Sequence, residues 1–192
     1  MKESNPMRLW TFQPEAVYDS LIQDGVFYCD ETKSENFVEY GFDKAYDWLA
    51  AEMKKRIGDP PNGIKYPIWA WHTVDWKHSK PDLRMREFWF SEPMLCIEIE
   101  MPDNEALLSN EDSWHIVLND GYFSDSEKDW ESFESLSIKE QEKIKRESWK
   151  KIFDITPYES EWICKGRYIQ ATFWELKKES IVSVRKVKPK YR

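Results

Sequence analysis

Apolar positions along the chain follow two periods, and the change from one to the other marks out elements. Residues 8 to 12, Arg8-Leu9-Trp10-Thr11-Phe12, predict a short strand, because aromatic and β-branched side chains suit a pleated, half-buried surface. Pro14 then fits a first helical turn and Gly25 a helix end, with Val17, Tyr18, Leu21 and Ile22 on one face between them. A second strand is expected near Val26 to Cys29. Phe42, Ala45, Tyr46, Leu49, Met53 and Ile57 recur at helical spacing up to Gly58, the clearest helical stripe in the sequence. After the breaker cluster Asp59 to Gly63, the aromatic segment Tyr66 to His72 reads as a strand. Over residues 94 to 100 the alternation is cleaner: Leu95, Ile97 and Ile99 point one way, Cys96, Glu98 and Glu100 the other. That pattern predicts an antiparallel strand with one wet face, ended by Pro102.

Two further helices are expected from capping-box spacing at Ser124/Glu127 and Ser137/Glu140. Ile144, Trp149, Ile152 and Phe153 supply the second with a buried stripe. Arg167 to Leu176 and Ile181 to Val187 read as closing strands. Helices therefore lie between early and late strands, which predicts an α+β fold with a mixed or antiparallel central sheet. No linker divides the chain, so residues 1–192 are expected to form a single domain, with a basic C-terminal tail over residues 185–192.

A charged fraction of 33% and a mean hydropathy of -0.76 would suit a disordered chain, but 11 Trp, 10 Phe and 9 Tyr provide large areas to bury. No apolar run approaches the roughly 18 to 20 residues of a membrane helix. Residues Met1 to Pro6 carry no apolar leader core, so no membrane association and a cytoplasmic location are expected. Cys29, Cys96 and Cys164 are too scattered for a disulfide framework and are expected as reduced thiols. The formal charge of -8 opposes broad nucleic-acid binding.

Few motifs carry chemistry. His72, His78 and His115 lack metal-ligand spacing, so no metal site is expected. Glu98 and Glu100 share a strand face and could hold a divalent cation, or simply form a solvated face. Trp69 and Trp71 could form a stacking platform; core roles with at most one exposed ring are expected instead.

Leu9-Trp10-Thr11, the helix through Val17, Leu21 and Ile22, then Asp24-Gly25-Val26 and Asp30 resemble the opening of ADP-ribosyltransferase-like domains. Arg167 to Leu176, followed by Ile181 and Val184, is similar to the catalytic strand and return strand of DNA-targeting ADP-ribosyltransferase toxins. The whole chain also resembles a bacterial family of similar length that carries an unknown-function label. The resemblance implies an ADP-ribosyltransferase-like fold with NAD, or another nucleotide, in a cleft between the chain's two ends. It places Arg8, Trp10 and Thr11 at the cofactor, since relatives have a histidine or arginine where Trp10 stands. Thr172 stands where the toxins carry a catalytic glutamate, which leaves Gln170 and Glu175 as catalytic candidates. Gln170 should either bond to backbone or line the cleft. Two other classes stay open: a non-catalytic nucleic-acid-binding module, and a protein-interaction domain.

Overall fold

The computed structural model describes residues 6–30, 41–61 and 63–190. Its centre is a six-stranded sheet in which every pairing is antiparallel: β1 (Pro6–Gln13), β3 (Ile68–Thr73), β4 (Met94–Pro102), β5 (Leu107–Asn110), β8 (Ile169–Phe173) and β10 (Ile181–Val187). The strand order is β10-β4-β1-β3-β8-β5. A two-stranded sheet pairs β2 (Val26–Tyr28) with β9 (Glu175–Lys177), and a small hairpin pairs β6 (Tyr158–Glu159) with β7 (Cys164–Lys165). Five α-helices lie among the described residues: α1 (Glu15–Asp24), α2 (Asp43–Ile57), α3 (Glu111–Leu118), α4 (Glu127–Glu134) and α5 (Ile138–Ser148). The fold is α+β, as the order of patterns predicts.

One sheet face carries Leu9, Ile68, Ala70, Ile97, Ile99 and Ala171, and it is sealed by Leu21 of α1 and Leu176 of β9. Helix α1 stops at Gly25, whose φ of 81° lets its N–H reach back to the Leu21 carbonyl. Half of the opposite face packs Leu107 against Ala45, Leu49 and Met53 of α2, Trp114 of α3, and Trp149 and Ile152 in the short 3-10 turn after α5. The other half carries Trp10, Phe12 and Cys96 beneath the long connection between β3 and β4. There Phe88 stacks on Phe12 with ring centres 4.8 Å apart. Each fully buried large side chain in these layers contributes about 1.5–3 kcal/mol of transfer free energy.

The sheet therefore has cover on both faces, and this overturns one expectation about β4. Cys96 and Glu98 are buried and only Glu100 of that face is exposed, because β10 and β1 flank β4 while the β3–β4 connection lies over it. Three other expectations are corrected. Helix α4 is capped not by Ser124 but by Ser126, whose hydroxyl accepts from the Asp129 N–H, while Ser124 accepts from the Trp162 indole. The segment 167–176 is not one strand: it turns a corner at buried Trp174, leaving β8 in the large sheet and β9 in the small one. Ile144 is exposed on α5. The Ser137/Glu140 capping box forms as expected.

The basic C-terminal segment is tied down where it is described. Arg185 donates to the Pro81 carbonyl and Lys190 to the Leu83 carbonyl, fixing the β3–β4 connection against β10. Arg192 lies outside the described residues.

Candidate functional site

Register brings six residues into one row across the covered face of the sheet. Ser183 pairs with Glu98, Glu98 with Trp10, Trp10 with Trp71, Trp71 with Gln170, and Gln170 with Ser109. Residues directly opposite in antiparallel strands share a face, so this row runs from β10 to β5 without a break. Strands β1 and β8 thus lie in one sheet with β3 between them, and the backbones of Trp10 and Gln170 are about 10 Å apart.

At the Glu98 end of the row a cavity of about 550 Å³ opens between β1, β4 and the chain that follows β3. Arg8, Trp10, His78, Ser79, Lys80 and Glu98 line it. A volume of this size falls in the range of small-molecule sites, about 300–1,000 Å³. Glu98 is 7% exposed, and both of its oxygens have partners. Arg8 Nη1 donates to Oε1 at 3.0 Å, and the Ser183 hydroxyl donates to Oε2 at 2.8 Å. Arg8 also reaches Glu100 at 3.5 Å. A buried carboxylate persists only with such charge-assisted bonds, because desolvating an ion costs several kcal/mol.

Trp10 is 3% exposed, and its buried indole Nε1–H has no acceptor among the described residues. An unpaired buried donor costs about 1–3 kcal/mol, and few native groups are left in that state. The edge of His78 meets the Trp10 ring with centroids 5.6 Å apart.

His78 reaches the cavity through a tight turn at Asp75-Trp76, whose φ values of 49° and 66° are the left-handed pair of a two-residue hairpin. Neither residue is a glycine, and the turn is held from outside by Arg167, which bonds the Asp75 carboxylate and the Trp76 N–H. His78 Nδ1 lies 2.7 Å from His72 Nε2, and His72 Nδ1 lies 2.9 Å from the Thr73 hydroxyl. Burial, with His78 beside it, pushes the His72 imidazole down to about 4. Burial also lowers His78, opposed by a hydrogen bond to the Arg8 backbone. Both rings are therefore neutral near pH 7, and the pair fastens the cavity rim to β3.

The residues singled out in the sequence do not converge on one place. Arg8 and Trp10 share this cavity. Thr11, the next residue, faces the opposite side of the sheet, where its buried hydroxyl donates to the Trp69 carbonyl and accepts from Gln13. Gln170 sits further along the row, half-buried, with no hydrogen bond from its amide to the described residues. Thr172 is buried beneath α2 and donates to the Leu107 carbonyl.

Glu175 belongs to the small sheet and lines a separate groove of about 310 Å³ with Asp59, Glu105, Trp174 and Lys177. It accepts from the Tyr28 hydroxyl at 3.3 Å and pairs with Lys177 at 2.8 Å. Trp69 packs with Tyr46 and Trp114, and Trp71 packs against Phe88 and Tyr168; both indoles are half-buried. Among the described residues no group of three or more His, Cys, Asp or Glu converges, and the three cysteines are free thiols.

Glu98, His78 and Lys80 are the cavity residues that the sequence did not single out together, and Ser183 is the partner of Glu98 that it missed. The only local signal was Glu98 itself, placed between apolar neighbours on a strand.

Fold and cavity define an antiparallel α+β domain with a polar pocket set into an aromatic sheet face. The chain belongs to the family described as Domain of unknown function (DUF3841), whose model matches residues 8–142. No curated protein and no solved structure matches it. Among the described residues no helix is long and apolar enough to cross a membrane.

Proposed function

We propose that the chain binds a nucleotide of the NAD type in the cavity between Arg8, Trp10, His78, Lys80 and Glu98. The observation that carries this reading is Trp10, which lines a cavity that also holds a buried carboxylate and whose buried indole N–H has no partner among the described residues. Arg8 and Lys80 supply cations for phosphate, Trp10 supplies a hydrogen-bond donor, and Glu98 supplies an acceptor. For the ADP-ribosyl transfer that the two ends of the chain resemble, Glu98 is the carboxylate, rather than Gln170 or Glu175. As the bond between nicotinamide and ribose breaks, positive charge develops on the ribose, and a fixed anion beside it lowers the barrier. Gln170 shares the face and the row; Glu175 lies in another groove.

Calorimetric titration with NAD, ADP-ribose and AMP tests the reading, with Arg8→Ala and Lys80→Ala as comparison. Binding to the unmutated protein that both substitutions weaken supports it, and no binding of any of the three rejects it. One observation favours a second reading, binding without transfer: both Glu98 oxygens already have partners in Arg8 and Ser183. Release of nicotinamide from NAD, measured with Glu98→Gln as control, separates the two.

A further inference from the structure

We infer that Trp10 and Glu98 form a reader for a primary carboxamide, so that the cavity takes the amide form of a nicotinamide nucleotide and rejects the acid form. The inference rests on the nucleotide-binding reading and adds which part of the ligand the sheet face recognises.

Trp10 and Glu98 are direct cross-strand partners, so their Cβ atoms lie about 4.5–5.5 Å apart on one face. One offers a buried donor that has no acceptor among the described residues. The other is a buried carboxylate with Arg8 on Oε1 and Ser183 on Oε2. A carboxylate has about four lone-pair positions, so two remain for a ligand.

A group that satisfies both neighbours must place an acceptor next to a donor. A primary carboxamide does this: its oxygen accepts from Trp10 Nε1–H, and its NH₂ donates to Glu98. A carboxylate in the same place still accepts from the indole, but it brings a second negative charge against Glu98 and has no proton to give. Arg8 cannot relieve that repulsion freely, because it is shared between Glu98 and Glu100. Buried polar groups left without partners are the usual source of strong discrimination between near-isosteric ligands.

The test is isothermal titration of the full chain with NAD, with its nicotinic-acid analogue, and with ADP-ribose, which lacks the ring. Unmutated protein should bind NAD at least about 10-fold more tightly than the acid analogue. Trp10→Phe removes the donor and breaks no hydrogen bond among the described residues. It should keep its fold while the advantage of NAD over ADP-ribose disappears. Glu98→Gln exchanges an acceptor for an NH₂ donor and should bring the acid analogue closer to NAD.

Equal affinity of the unmutated protein for NAD and its acid analogue overturns the amide reader and leaves nucleotide binding standing. ADP-ribose binding as tightly as NAD does the same. Failure to bind any of the three overturns both. A Trp10→Phe protein that folds and still prefers NAD over ADP-ribose removes Trp10 from the reader.

Discussion

Acidification from pH 6.5 towards 4 should loosen the protein through the His72–His78 pair. In the fold the His72 imidazole is pushed down from 6.5 to about 4, so the folded state binds fewer protons than the unfolded state between these values. The contribution of the pair is complete above about pH 6.5 and is lost progressively as pH falls. A displacement of this size is worth about 3 kcal/mol for a fully buried group. Solvent reaches one side of the pair, which reduces the stability at stake to about 1–2 kcal/mol.

For a chain of this length 1 kcal/mol moves Tm by about 2–4 °C, so the loss should be roughly 2–8 °C. The carboxylates with depressed values act lower: those of Asp82 and Asp154, held down to about 2 by Arg84 and Lys165 respectively, contribute stability that disappears only below about pH 3.8. Differential scanning calorimetry at pH 7.5, 6.5, 5.5 and 4.5 reads the effect, with His72→Gln/His78→Gln as reference. The double variant should show a flatter slope across this window. Equal slopes in the two proteins, or an NMR titration placing His72 near its ordinary value, would exclude the pair as the source of the loss.

Trp149→Ala should cost about 3–5 kcal/mol in urea unfolding, because the fully buried indole also donates to the Gly121 carbonyl at 2.7 Å. Thr11→Val should lose about 1 kcal/mol, by removing the bond to the Trp69 carbonyl, and leave NAD titrations unchanged, since Thr11 faces away from the cavity. Gln170→Ala should alter Tm by no more than about 1–2 °C, as its amide bonds to none of the described residues. On the alkaline side Tyr46 is pushed up to about 12 by burial, so the folded state resists its ionisation. The contribution of Tyr46 is whole below pH 10 and lost as pH rises towards 12, and absorbance near 295 nm should show its late deprotonation.

Helix α2 was legible because its apolar stripe is local and long, and it buries the same Ala45, Leu49 and Met53 that the spacing marks. Strand β4 was legible as a strand but not as a buried one. Alternation shows which residues share a face, while cover for that face comes from Leu83 and Phe90, residues of a connection with no regular pattern. The cavity was hidden for a related reason. Opposing Glu98 to Trp10 and Ser183 is a matter of register between strands up to 173 residues apart, from Trp10 to Ser183, and neither strand records that register locally. The Asp75-Trp76 turn contains no glycine or proline to announce it, because Arg167 supplies the restraint from elsewhere. The corner at Trp174 was missed because residues 167–176 contain no glycine or proline to mark a break and so read as one continuous strand.

The central sheet is built from more of the chain than the stretch shared with the family. The match ends at residue 142, yet β8 lies between β3 and β5, and β10 covers the outer edge of β4. A fragment ending there would leave β5 with no neighbouring strand, since β8 is its sole partner in the sheet, and would bare β4 along its length. Such open strand edges recruit other chains. The boundaries of the shared sequence are therefore not the boundaries of a foldable piece, and a shortened protein that precipitates would reveal its missing strands rather than anything about its ligand.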